Sequence, residues 1–111
     1  MADSSEAPEV VVVFATFPSP EKATEVARIL VTEGLAACAN LVPPVRSIYR
    51  WDGKVEEADE ILAILKTTRE RFDAMKDRLV ELHSYDVPEV IGIPTVGGHA
   101  PYLAWVVDST K

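Results

Sequence analysis

The sequence predicts an α+β domain of the ferredoxin-like kind, with element order β-α-β-β-α-β, a long central hairpin and a short terminal helix. Three observations predict it. The first is a pair of nearly unbroken apolar runs, VVVVF from Val10 to Phe14 and ILAILK from Ile61 to Lys66, which suit central strands buried on both faces. The second is a pair of segments with apolar residues at helical spacing, one after each run. The third is Asp52-Gly53, the residue pair best suited to a type I′ turn, which requires positive φ at both central positions. Two helices on one face of an antiparallel sheet satisfy all three, with the first and third strands at the centre.

Residues 1–8, acidic and polar, are expected to be a disordered tail, and 9–111 a single domain. The first strand runs from Val10 to Phe17. Ser19 is a good N-cap, Pro20 fits the first helical position and Glu21 suits the positive end of the dipole. Ala23, Val26, Ala27, Leu30 and Val31 then form one stripe, which Gly34 ends. Leu35 to Val42 is apolar and extended. Pro43-Pro44 donates no ladder hydrogen bond, so this second strand must carry a bulge or lie at an edge.

The hairpin SIYRWDGKVEEADEILAILK spans Ser47 to Lys66. Its turn places Trp51 opposite Lys54, Tyr49 opposite Glu56, and Arg46 opposite Asp59, the last a favourable charge pair. A long hairpin is marginal alone, so its tip should project and pack on something, most simply a second copy of the chain. Thr67-x-x-Glu70 reads as a capping box, and Phe72, Met75, Leu79 and Leu82 as a helix stripe. Val87-Pro88 enforces extended geometry, and Val90 to Ile93 is a short fourth strand closed by Pro94 and Gly97-Gly98. Pro101 to Val107 is expected to be a short capping helix.

The 111 residues hold 18 acidic and 11 basic side chains, a net charge of −7, which argues against a nucleic-acid partner. No apolar run approaches the roughly 18 residues of a membrane span. One cysteine allows no disulfide framework, and the N-terminus lacks the charged and apolar regions of a signal peptide. A cytoplasmic location is the expectation.

Several residues are candidates for chemistry. Cys38 is either a soft ligand for Cu(I) or a small buried hydrophobe. His83, Tyr85, Asp86 and Glu89 form the densest polar cluster, at the end of the second helix, and their imidazole, phenol and carboxylates suit copper or zinc. Lys66 either binds an anion or pairs with Glu89. Tyr49, Trp51 and Trp105 read more strongly as subunit-interface anchors than as pocket walls. Glu56-Glu57-Ala58-Asp59-Glu60 is either a weak cation patch or, as the stronger reading, a solvated face that blocks edge pairing, and His99 reads as a loop or cap residue. No nucleophile elbow, P-loop, dinucleotide fingerprint or zinc-protease motif occurs, so no enzyme is expected.

The motifs LAAC-N, Y-WDGK, LKTT and Y-VPE-I follow one another between Val10 and Val107. In that order and spacing the chain resembles the CutA family of divalent-cation tolerance proteins. The resemblance implies a ferredoxin-like subunit in a tight homotrimer joined through the hairpin strands, a fold relation to PII signalling proteins, and binding of copper (Cu2+) or another divalent metal. Family members have been credited with a His, a Glu and a Cys as metal ligands, and His83 and Glu89 match. In some of them the Cys lies in the first strand. Ala15 occupies that position here, which counts against a cysteine-containing copper site in that strand. The alternative is a PII-like signalling trimer that binds a small anion in inter-subunit clefts through Lys66, Tyr85 and Glu89.

Overall fold

Four strands form one antiparallel sheet in the order β2-β3-β1-β4, and the computed structural model describes residues 9–111 of the chain. The expected tail over residues 1–8 lies outside the described residues. The strands are β1 (Val10–Phe17), β2 (Cys38–Trp51), β3 (Lys54–Thr68) and β4 (Val90–Pro94), and the helices are α1 (Pro20–Thr32), α2 (Arg69–Leu82) and α3 (Ala100–Ser109). This is the ferredoxin-like arrangement, with β1 and β3 central and β2 at an edge.

The hairpin register agrees with the sequence pattern at all three pairs: Trp51 with Lys54, Tyr49 with Glu56, and Arg46 with Asp59. Asp52 and Gly53 take φ of 53° and 78°, as a type I′ turn requires. Arg46 donates to Asp59 at 3.0 Å and also to Glu57 at 3.1 Å. The register shifts between Val42 and Val45, so the Pro43-Pro44 pair sits in an irregularity of an edge strand. β1 pairs with β3 only as far as Ile61. From Glu60 to Lys54, β3 is paired with β2 alone, and this two-stranded ribbon projects from the four-stranded body.

Side chains alternate across a strand, and the helices use that alternation. Val11, Val13, Ala15 and Phe17 of β1 and Ile61, Ala63 and Leu65 of β3 point toward Ala23, Val26 and Leu30 of α1 and Met75 and Leu79 of α2. Among the described residues the opposite face is covered only at one end, where Val106 of α3 packs on Val10 and Ala37. The expectation that β1 and β3 are buried on both faces therefore holds on one face only. Val12, Phe14, Leu62 and Ile64 are half-buried, and Ile91 and Ile93 of β4 are 52% and 39% exposed.

Two helix details differ from the sequence pattern. Val31 is exposed, because the buried stripe of α1 ends at Leu30. The N-cap of α2 is Thr68, which accepts from the Arg71 amide at 3.2 Å, and not Thr67. Thr67 shares the helix-facing alternation of β3 and is fully buried. Its hydroxyl instead donates to the Leu35 carbonyl at 2.7 Å, tying the loop after α1 to the sheet. At the N-terminus of α1, Ser19 caps the Lys22 amide at 3.1 Å, as the sequence suggests.

Candidate functional site

The segment leaving α2 must cross the end of β1 to reach β4, and His83 makes that crossing rigid. Its ring stacks on Phe17, with centroids 4.6 Å apart and planes 14° from parallel. Nε2 donates to the Thr16 carbonyl at 2.7 Å, and Nδ1 accepts from the Tyr85 amide at 3.0 Å. The second bond fixes the tautomer, since an acceptor Nδ1 leaves the proton on Nε2. Both ring nitrogens are thus occupied in holding the loop.

The loop in turn delivers Tyr85. Its ring lies against His83 at 4.6 Å, and its hydroxyl donates to Glu60 Oε2 at 2.8 Å. Burial, and then the bond to Glu60, push the Tyr85 phenol up to about 12, so it stays a neutral donor through the physiological range. Glu60 is only 8% exposed. Among the described residues no lysine, arginine or histidine pairs with it.

Between the hairpin and this loop lies a cleft of about 530 Å³. Its aromatic walls are Tyr49 and Trp51 from β2 and Tyr85 from the loop. Its carboxylates are Glu60 from β3 and Asp86 and Glu89 from the loop. Glu60, Tyr49 and Trp51 belong together because alternation and register place Tyr49 with Glu56 and Trp51 with Lys54, on the same face as Glu60. Among the described residues no basic side chain lines the cleft.

Five residues singled out from the sequence as separate candidates therefore meet here: Tyr85, Asp86, Glu89, Tyr49 and Trp51. Three others do not. Cys38 and Lys66 face each other across β2 and β3, six residues along β3 from Glu60, which is roughly 20 Å at strand spacing. There Lys66 donates to the Asn40 side-chain oxygen, and not to Glu89 as the sequence suggested. Cys38 Sγ lies 3.6 Å from the Tyr102 hydroxyl. Trp105 is beside Tyr102 on α3, with ring centroids 5.6 Å apart. His83, Glu89, Tyr85 and Cys38 are accordingly not one ligand shell, and no group of three His, Cys, Asp or Glu side chains close enough to hold a metal occurs among the described residues. His99 is the N-cap residue of α3, with no side-chain capping bond.

The comparisons with known proteins bear on this geometry. A family model described as CutA1 divalent ion tolerance protein matches residues 11–109, which include every residue that lines the cleft. The chain belongs to the CutA1 family. The divalent-cation tolerance protein CutA of Thermus thermophilus is 46% identical over 99 residues, 89% of this chain and 96% of that protein. The chloroplastic CutA protein of Arabidopsis thaliana is 40% identical over all 111 residues, and the chain spans 61% of its length. A solved structure of the Thermus thermophilus CutA1 superposes with a TM-score of 0.90 at 45% identity, covering 92% of this chain and 99% of that one.

For this CutA1 chain, sequence reasoning missed Thr16, and it named Glu60 only as the end of a run read as a weak cation patch or a solvated face. Glu60 closes a run of acidic residues and reads as one more solvated charge. The signal that sets it apart is alternation: Glu60 shares a face with Leu62 and Ile64, where a carboxylate must find a partner. Thr16 acts through its backbone carbonyl, for which side-chain patterns carry no signal.

Proposed function

We propose that this CutA1 chain is a homotrimeric, non-enzymatic cation-binding protein that holds a divalent metal ion in the cleft between the hairpin and the loop after α2. The observation that carries this reading is Glu60, a buried carboxylate with no cationic partner among the described residues, with Asp86 and Glu89 beside the same cleft. Burying a carboxylate without a counter-charge is costly, and a bound cation offsets that cost. The family's description as divalent ion tolerance proteins agrees with it.

The donors available are oxygens, which suit hard divalent ions better than copper. A copper site of His, Glu and Cys within one chain fits poorly. Cys38 stands apart, Ala15 offers no thiolate, and His83 has both nitrogens engaged. The PII-like alternative is not favoured, because three carboxylates and, among the described residues, no basic group face the cleft, so an anion is repelled.

The trimer rests on the open sheet face. Phe14, Ile64, Ile91 and Ile93 lie there beside α3, with Tyr49, Trp51 and Trp105 exposed at its margins. A contiguous apolar face of this kind marks an interaction surface. The lone cysteine suits a reducing compartment, here proposed to be the cytoplasm.

Native mass spectrometry of the full chain with Mn(II), Zn(II) or Cu(II) tests both parts. A trimer is expected to take up one ion per chain, with uptake weakened by Glu60→Gln and untouched by Cys38→Ser. Uptake that depends on Cys38 and ignores Glu60, or none at all, would sink the proposed metal site.

A further inference from the structure

The carboxylates of the cleft do not by themselves make a coordination shell. A hard divalent ion takes six to eight oxygens at about 2.3–2.6 Å. Among the described residues no three His, Cys, Asp or Glu side chains stand close enough to share one ion. Glu60 is more than nine-tenths buried, at 8% exposed. Its Oε2 accepts from Tyr85 at 2.8 Å, and its Oε1 has no hydrogen-bond partner among the described residues. The space also exceeds what an ion fills. An ion with six waters occupies roughly 180 Å³, at about 30 Å³ per water, whereas the cleft measures about 530 Å³. One chain therefore offers too few donors and too much room.

We propose that a second copy of the chain closes the cleft and completes the cation site, so that metal binding and subunit assembly form one linked equilibrium. The proposal rests on the metal reading above and adds the partner to it. Continuity with the open sheet face puts the second copy there. Tyr49 and Trp51 wall the cleft, share a face of the ribbon with Glu60, and stand at the margin of the sheet face assigned to the trimer. A copy seated on that face and along the ribbon borders the cleft. In a closed ring of three, the two patches that meet are different ones. The partner thus brings to Glu60 atoms that this chain cannot bring to itself, and three interfaces give one site per chain.

Electrostatics gives the coupling its sign. In a separate chain Asp86 and Glu89 are exposed, and water screens them. A partner over the cleft displaces that water, which strengthens every charge interaction there. It leaves three carboxylates with, among the described residues, no basic side chain lining the cleft. Charges buried without a counter-charge are costly. A divalent ion offsets that cost in the assembled form and has little to offset in the separated one. Metal therefore favours assembly, and by reciprocity assembly tightens metal binding by the same factor.

Subunit exchange of the full chain tests the proposal. Unlabelled and isotope-labelled protein are mixed with and without Mn(II) at constant ionic strength, at a temperature where the metal-free protein exchanges within hours. Native mass spectrometry counts the mixed-label trimers. Mn(II) is expected to slow exchange roughly tenfold, within the usual coupling range of about 5–150-fold. Glu60→Gln is expected to exchange at one rate whether or not Mn(II) is present, and Cys38→Ser to behave as the wild type does. Should Glu60→Gln fold poorly, Glu89→Gln is expected to reduce the slowing. Ile93→Asp alters the sheet face and leaves the cleft residues intact, so its smaller species are expected to bind Mn(II) roughly tenfold more weakly in a direct titration.

The outcomes separate this proposal from the metal reading. Glu60-dependent uptake of one Mn(II) per chain with exchange unchanged or faster would overturn the shared site and leave the metal reading standing. Undiminished Mn(II) affinity in a monomeric Ile93→Asp chain, or in a wild type that is itself monomeric, would do the same. No Mn(II) uptake at all would overturn both.

Discussion

The Tyr85 hydroxyl donates to Glu60 Oε2 at 2.8 Å, joining the loop after α2 to the base of the projecting hairpin across 25 residues of sequence. This bond has a consequence that can be titrated. Burial first, and the bond to Glu60 second, push the Tyr85 phenol from the ordinary 10.0 up to about 12. The folded-state pKa is raised, so the stability from the neutral phenol is fully present below pH 10. It is lost as pH rises from about 10 toward 12. Absorbance titration of the phenolates, wild type minus Tyr85→Phe, is expected to show one group ionising near 12. Glu60→Gln should return it only part of the way, because burial is the larger cause. A difference curve centred on 10 would refute this account of the loop.

Ile93 tests the open sheet face. It pairs with Val12 on the uncovered side and is 39% exposed in the single chain. Ile93→Asp therefore costs the isolated subunit little, but would place a carboxylate without a partner inside any interface formed there. Sedimentation or light scattering is expected to show smaller species with the secondary structure retained. A variant that sediments as a full trimer would place the interface elsewhere.

Gly92 tests how closely α2 approaches β4. A Cβ built on it would meet Phe72 Cε1 at 2.6 Å and Cζ at 2.9 Å. Gly92 pairs with Val13 on the helix-covered face, where the partly buried Phe72 packs against the core, so the ring must shift to admit a Cβ. Gly92→Ala is expected to lower stability by about 1–3 kcal/mol, the usual cost of overpacking, read by denaturant unfolding. The double variant Gly92→Ala with Phe72→Leu should recover part of the loss. An unchanged midpoint for the single variant would mean that Phe72 is free to move.

Local chemistry left most of the fold legible in the sequence. Asp52-Gly53 fixed the turn, and the turn fixed every pair down to Arg46–Asp59. Pro43-Pro44 marked the irregular edge, and Ser19 the start of α1. Each is a short-range effect, set by φ, by a missing N–H, or by a side chain reaching three residues along the chain. Failures came where two readings were locally equal. Thr67 and Thr68 are chemically alike, and only the contact with Leu35 decides which one caps α2.

The cleft was half legible for the same reason. Tyr85 and Glu89 stand in one dense polar segment, whereas Cys38 and Lys66 resemble ligands in isolation and lie elsewhere. Glu60 passed for a surface charge because its burial depends on Tyr85, supplied from 25 residues away. His83 looked like a metal ligand until Thr16 and the Tyr85 amide took both its nitrogens.

By itself, then, the sequence determined the elements, their order, the hairpin register and the family motifs, because all of these depend on neighbours along the chain. The tertiary structure alone decided which carboxylate is buried, which histidine nitrogens are engaged and which aromatic rings share a cleft. Those are matters of distance between segments, and sequence spacing does not encode them.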